Sequence, residues 1–245
     1  MILFGFRKKD ETEAAEKSAA AQGVPVVSAS ETGLVRADNQ DHIFVDAARH
    51  VYCVADGVGG GADGARASEI VCANMKMVVY AADETFKSRV SAVQKAIEDA
   101  NVALFEDARA KGLPLVASTV AALVLDPANP RHAAVCNVGD SRIYRFRCGM
   151  PELLTRDHRA GGGSHALTRA IGAAETVKPE WMELESTDAS RLLLCTDGVH
   201  DVISAGRLAA FISAAPTLEA AADRLSADVV RQGAPDNYSF VLLEV

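Results

Sequence analysis

The 245-residue sequence has no Cys-x-x-Cys pair, no apolar run of membrane-spanning length, no excess of basic residues and no internal repeat. Each absence removes a class of protein. Five cysteines, Cys53, Cys72, Cys136, Cys148 and Cys195, are odd in number and lack metal-ligand spacing, which argues against a disulfide framework or a thiolate metal site and predicts reduced thiols. Cys53, Cys136 and Cys195 lie inside apolar runs, where a free cysteine behaves as a small hydrophobe. The longest nearly uninterrupted apolar stretch, Val116 to Leu125, is too short to span a bilayer and contains Ser118 and Thr119. With 25 Lys plus Arg against 33 Asp plus Glu, the formal charge of −8 offers no basic face to a nucleic-acid backbone. At the N-terminus the apolar residues Met1 to Phe6 precede Arg7, Lys8 and Lys9, the reverse of a secretory signal, so a cytoplasmic protein is expected.

What is present is a chain long enough to bury a core of its own. Residues 1–22 contain a Lys-, Glu- and Ala-rich stretch with little apolar periodicity and read as a flexible tail, leaving 23–245 as one domain. Strand-length apolar runs occur at Val24–Ala29, Ile43–Ala47 and Val51–Ala55. Two helices follow, because Ile70, Val71, Met75, Val78, Val79 and Ala82 recur at intervals of three and four, as do Val90, Val93, Ile97, Ala100, Leu104 and Ala108. Strands are predicted again at Ser118–Leu125, His132–Val138, Ser141–Arg147, Trp181–Glu185 and Arg191–Cys195, helices at Ala205–Ser213 and Leu218–Gln232, and a last strand at Tyr238–Val245. Short turns between neighbouring strands imply antiparallel sheets with segregated helices, an α+β class.

The chemistry is concentrated in aspartates placed against apolar segments. Asp56 and Asp197 each follow a hydrophobic run and precede a glycine, Asp140 stands between two predicted strands, and Asp236 precedes the last one. Any one Asp-Gly step is an ordinary turn dipeptide. Four such carboxylates brought together at strand ends would repel one another unless a cation neutralised them, and oxygen donors suit Mg²⁺ or Mn²⁺ rather than Zn²⁺. The spacing alone leaves a metal site and a set of turns equally open. The segment Gly57 to Gly64 also contains a GxGxxG pattern at Gly59, Gly61 and Gly64. A dinucleotide site would need a second parallel strand, for which Met77–Tyr80 is the only offer, and those residues fit the helical stripe better.

Eight motifs occur in order: Gly33-Leu34-Val35-Arg36-Ala37-Asp38-Asn39-Gln40-Asp41, Ala55-Asp56-Gly57-Val58-Gly59-Gly60, Ala117-Ser118-Thr119-Val120, Val138-Gly139-Asp140-Ser141-Arg142-Ile143-Tyr144, Leu154-Thr155-Arg156-Asp157-His158, Leu167-Thr168-Arg169-Ala170-Ile171-Gly172, Cys195-Thr196-Asp197-Gly198-Val199 and Pro235-Asp236-Asn237. Together, over about Ser28 to Val245, they resemble the metal-dependent protein phosphatases, the type 2C serine/threonine phosphatases, in their bacterial form. The resemblance implies a sandwich of two antiparallel β-sheets flanked by antiparallel helix pairs. It implies two Mn²⁺ or Mg²⁺ ions bridged by Asp56, with the Gly57 carbonyl, Asp197 and Asp236 completing their shell and Asp140 supporting a third ion. Arg36 would bind the substrate phosphate, while Gln40 and Asp41, with Asn237 near them, would order water at the metals; Arg36, Asp41 and Asp56 carry the catalysis. The implied reaction is hydrolysis of phosphoserine and phosphothreonine in proteins by a water the cations activate.

Two features depart from the family pattern. Only Arg159 to Ala166 stand where many relatives carry a long flap, and Gly161-Gly162-Gly163-Ser164 is a flexible piece, natural or engineered. Val58 replaces a histidine that eukaryotic members use as an acid. His158 reads as a structural turn histidine rather than a proton donor. The expected partners are a phosphorylated protein substrate and, beyond it, a cognate Ser/Thr kinase or a secretion-system component. A non-catalytic pseudophosphatase and a small-molecule metal phosphohydrolase are the rival functions.

Overall fold

The computed structural model describes residues 24–59, 61–161, 166–185 and 190–245. The expected tail over 1–22, Gly60 of the second motif and residues 162–165 of the shortened flap lie outside them. Two antiparallel sheets form the centre. One has the order β1 (Val26–Glu31), β11 (Tyr238–Glu244), β10 (Arg191–Cys195), β7 (Arg142–Arg147), β8 (Met150–Leu153). The other runs β2 (Asp41–Asp46), β3 (Val51–Val58), β5 (Val120–Asp126), β6 (Asn129–Val138), β9 (Glu180–Glu185), with the short β4 (Ala117–Ser118) paired to β3. Helices α1 (Gly61–Ala81) and α2 (Phe86–Lys111) cover the second sheet, and α4 (Ala205–Ala214) and α5 (Leu218–Arg231) the first; α3 (Asp197–His200) is a single turn after β10.

The apolar runs are nearly continuous because both faces of the central strands are covered. Side chains alternate along a strand. Val51, Cys53 and Ala55 of β3 therefore join Val71, Met75 and Ile97 in the core under α1 and α2, while Tyr52 and Val54 join Leu192, Leu194, Val241 and Leu243 between the sheets. On the other side Leu193, Cys195, Phe240 and Leu242 face Leu208, Ile212 and Leu225 of α4 and α5. The result is four layers, helix–sheet–sheet–helix, and truncating a fully buried member such as Leu123 to Ala should cost about 2–5 kcal/mol.

The predicted strands and helices are all found, with ends displaced by a few residues. Three elements are new. β8 holds Pro151 at a sheet edge, is mostly exposed and has no alternation to betray it; its hairpin turns at Cys148 and Gly149, both at positive φ. β4 has two residues and α3 four, too few for any periodicity to show. The nucleotide-binding possibility is overturned: Met77–Tyr80 lie inside α1, and β3 has only antiparallel neighbours. All five cysteines are free, and only Cys148 is exposed. Among the described residues, no helix is long and apolar enough to cross a membrane.

Candidate metal centre

The aspartates converge at one end of the sandwich, where both sheets deliver them. Asp41, the first residue of β2, is the cross-strand partner of Asp56 near the end of β3. Like charges directly opposite one another destabilise a strand pair, so this register needs compensation. Part of it comes from the other sheet: the Thr196 hydroxyl donates to Asp41 Oδ2 at 2.8 Å and accepts from the Ser239 amide at 2.9 Å. Asp197 follows Thr196 at the start of α3, and Asp236 precedes β11. Asn237 ties that end together, accepting from the Gln40 amide at 2.9 Å and donating to the carbonyls of Thr32 and Asp38 at 2.8 and 2.9 Å.

Neither Asp-Gly step is a turn. Asp56 and Gly57 are inside β3, and a Cβ on Gly57 would stand 1.9 Å from the Gly64 carbonyl oxygen, where α1 begins against the strand. A Cβ on Gly198 would likewise meet the Asn237 carbonyl oxygen at 1.9 Å. In each pair the glycine lets a second backbone pass directly beside the aspartate. The backbone of Asp56 is clamped by a motif to which no role had been given: its amide donates to Thr119 Oγ1 at 3.0 Å, and its carbonyl accepts from the Thr119 amide at 2.8 Å and from Ser118 Oγ at 3.0 Å.

A cavity of about 460 Å³ opens over this cluster, bordered by Arg36, Gln40, Asp56, Gly57, Asp197 and Asp236. Burial, with the charges of Asp41, Asp197, Asp140 and Asp236, drives the Asp56 carboxyl far above the usual carboxylate range. Burial is also the main cause that lifts Asp41 to about 7, against the hydrogen bonds from Thr196 and Ser239, and Asp197 to about 6, with Asp140 adding to the latter. No hydrogen bond or ion pair reaches the Asp56 carboxylate from the described residues. Arg36, half exposed, donates to Asp236 at 2.8 Å.

The remaining cation is one that sequence reasoning missed. Arg159, in the stub of the flap, contacts Asp140 through Nε, Asp197 through Nη2 at 3.0 Å and Asp201 through Nη1 at 3.3 Å. The placement of Arg159 depends on its neighbour. His158 is buried, its amide donates to the Gly139 carbonyl at 2.9 Å, and its Nδ1 accepts from the Gly139 amide at 3.0 Å. That pairing ties the amide and Nδ1 of His158 to the loop, while its Nε2 stands 3.2 Å from Arg169 Nη1 and 3.3 Å from Glu180 Oε1. Asp157 is held by two bonds from Arg142, at 2.9 and 2.7 Å. Burial alone would raise Asp201, but hydrogen bonds from His200 and Arg159 carry it below the ordinary range.

The sequence-predicted residues Arg36, Gln40, Asp41, Asp56, Gly57, Asp197, Asp236 and Asn237 thus meet at one cavity and its wall, while Asp140 is bonded to Arg159 and borders a second cavity of about 340 Å³ with Asp56 and Asp197. Oxygen donors and an uncompensated, half-buried carboxylate fit a hard divalent cation on the Asp56 side. The fit is one of donor chemistry: among the described residues no three His, Cys, Asp or Glu side chains already close around a point as a finished cage.

The chain is 29% identical over 233 residues to the serine/threonine protein phosphatase PstP of Mycobacterium tuberculosis, a match covering 88% of this chain and 44% of PstP, so the chain corresponds to less than half of that relative's length. PppA, described as a key regulatory component of the type VI secretion system in Pseudomonas aeruginosa, superposes with a TM-score of 0.83 at 25% identity, over 92% of this chain and 99% of its own. The catalytic domain of PstP in complex with two manganese ions superposes at 0.77 with 26% identity, over 91% and 99%. The family model described as Protein phosphatase 2C matches residues 27–232, and the chain belongs to that family.

Proposed function

We propose that the domain hydrolyses phosphoserine and phosphothreonine in proteins, with Mn²⁺ or Mg²⁺ held by Asp56, Asp197, Asp236 and the Gly57 carbonyl. The observation that carries this is Asp56: a half-buried carboxylate, surrounded by four others and bonded to no cation among the described residues, at a cavity bordered by an arginine. Divalent cations, when bound, supply an activated water and draw charge from the phosphoryl oxygens. The chain's own residues do the rest. Arg36 offers a planar fork that suits two phosphate oxygens, and its half-exposed pairing with Asp236 is one that an incoming dianion can displace. Asp41 is fixed by Thr196 beside Asp56, so its carboxylate is oriented before substrate arrives. Asn237 and Gln40 hold the loop carrying Arg36 against β11, which sets the distance between phosphate-binding and metal-binding groups.

The likeness to PstP supports a phosphoprotein substrate and an opposing Ser/Thr kinase, and the likeness to PppA supports a link to secretion-system regulation. Five free cysteines accord with a cytoplasmic setting. The test is hydrolysis of a phosphothreonine peptide with Mn²⁺ and with EDTA, beside p-nitrophenyl phosphate. Metal-dependent hydrolysis of the peptide is expected. Mn²⁺ binding without turnover would make the protein a pseudophosphatase, and turnover of the small ester alone would make it a small-molecule phosphohydrolase.

A further inference from the structure

The two sides of the aspartate cluster are compensated differently. On the Asp140 side a guanidinium with only 16% of its side chain exposed addresses three carboxylates, Nε on Asp140, Nη2 on Asp197 and Nη1 on Asp201. The loop that brings it is pinned on both sides of Arg159: His158 is bonded twice to Gly139, the Thr168 amide donates to the His158 carbonyl at 2.7 Å, and the Ala160 amide donates to the Ala166 carbonyl at 2.8 Å. Arg159 and Leu167 are bridged across the base of the stub. Asp201 is itself set by His200, whose ring stands 3.0 Å from it and 3.0 Å from the Asp140 carbonyl oxygen. A guanidinium in this position takes Oδ2 of both Asp140 and Asp197, the two carboxylates that a cation between them would share.

We propose that Arg159 is the resident cation of the Asp140 side, standing in the place of a divalent ion there, so that such an ion enters only when the guanidinium is removed. The inference rests on the two-ion reading of the Asp56 side, and the resemblance that assigned Asp140 to a third ion does not hold for this chain while Arg159 is in place. Arg159 is a positioning residue in this account: it fixes Asp140 and Asp197 rather than touching substrate. The shortness of the flap has the same logic, since a stub is enough to deliver one arginine.

The test is calorimetric titration of metal-free wild type, Arg159→Ala and Arg159→Gln with Mn²⁺, together with their melting in EDTA. The wild type should take about two ions and each variant about one more. In EDTA the variants should melt lower by roughly 2–4 °C for each kcal/mol of lost carboxylate compensation, and Mn²⁺ should narrow that gap. Equal stoichiometry and equal melting in wild type and variants would overturn the proposal while leaving the two-ion reading intact. A wild type that binds no Mn²⁺ beside a variant that binds one would uphold the role of Arg159 and sink the two-ion reading. No binding by any of the three would sink both. If Arg159→Ala fails to fold, the longer neutral side chain of Arg159→Gln preserves the packing and carries the comparison.

Discussion

Asp56 and Asp228 are the same residue type, the first half-buried beside a cavity and the second buried, and their surroundings are opposite. Asp228 lies on α5 with a side chain 3% exposed, and Arg207 and Arg231 approach it to 2.6 and 2.8 Å. Asp56 has Asp41 across the strand pair, three further aspartates in its field and, among the described residues, no arginine or lysine bonded to it. A buried carboxylate with its cations built in serves the fold, here by tying α4 to α5. One placed beside an open cavity without them is unfavourable for the fold alone and is kept in a place where a cation from solution can reach it. Position relative to charge, not residue type, separates the two roles.

The comparison can be broken by substitution at either end. Asp56→Asn should lower phosphopeptide turnover in saturating Mn²⁺ by about 10³-fold or more, equivalent to about 4 kcal/mol of barrier, measured as initial rate. Arg36→Ala should lower kcat/KM by roughly 10- to 100-fold, the scale of a lost charge-assisted pair to phosphate, with Mn²⁺ stoichiometry unchanged. Asp228→Asn should leave turnover alone but lower denaturation stability by about 1–3 kcal/mol, because Arg207 and Arg231 lose their shared anion. The smallest effect is at His158, which burial and the Arg169 charge hold below its usual pKa of 6.5. A folded-state pKa below the unfolded one makes the contribution of the neutral ring complete above pH 6.5 and diminishing below it. The stability difference between wild type and His158→Asn should therefore shrink by less than about 1 kcal/mol between pH 7.5 and 5.5, at matched Mn²⁺.

Much of this was legible in the sequence because hydrophobic runs and aspartates report directly on strands and on charge placed at their ends. Asp56, Asp197 and Asp236 were found by their position after or before apolar segments, and the cavity gathers all three. Arg159 was not legible. Its position follows from a histidine bonding to a glycine nineteen residues earlier, and neither residue carries periodicity or spacing that announces the contact. Asp201 and Thr119 escaped for a related reason: one is placed by the four-residue α3, the other acts through backbone bonds to Asp56. Each Asp-Gly step is open to a turn as far as dipeptide chemistry goes, whereas Gly57 and Gly198 serve close passage of a second chain segment.

The central claim is that Asp56 is a carboxylate held in readiness for a divalent cation. The direct measurement is thermal melting of wild type and Asp56→Asn, each in EDTA and in Mn²⁺. Removing a carboxyl whose ionisation the metal-free fold disfavours should make the variant the more stable protein in EDTA, by roughly 2–4 °C for each kcal/mol relieved, and Mn²⁺ should raise the melting temperature of the wild type well above that of the variant. A variant less stable than wild type in EDTA, with Mn²⁺ shifting both equally, would contradict the account.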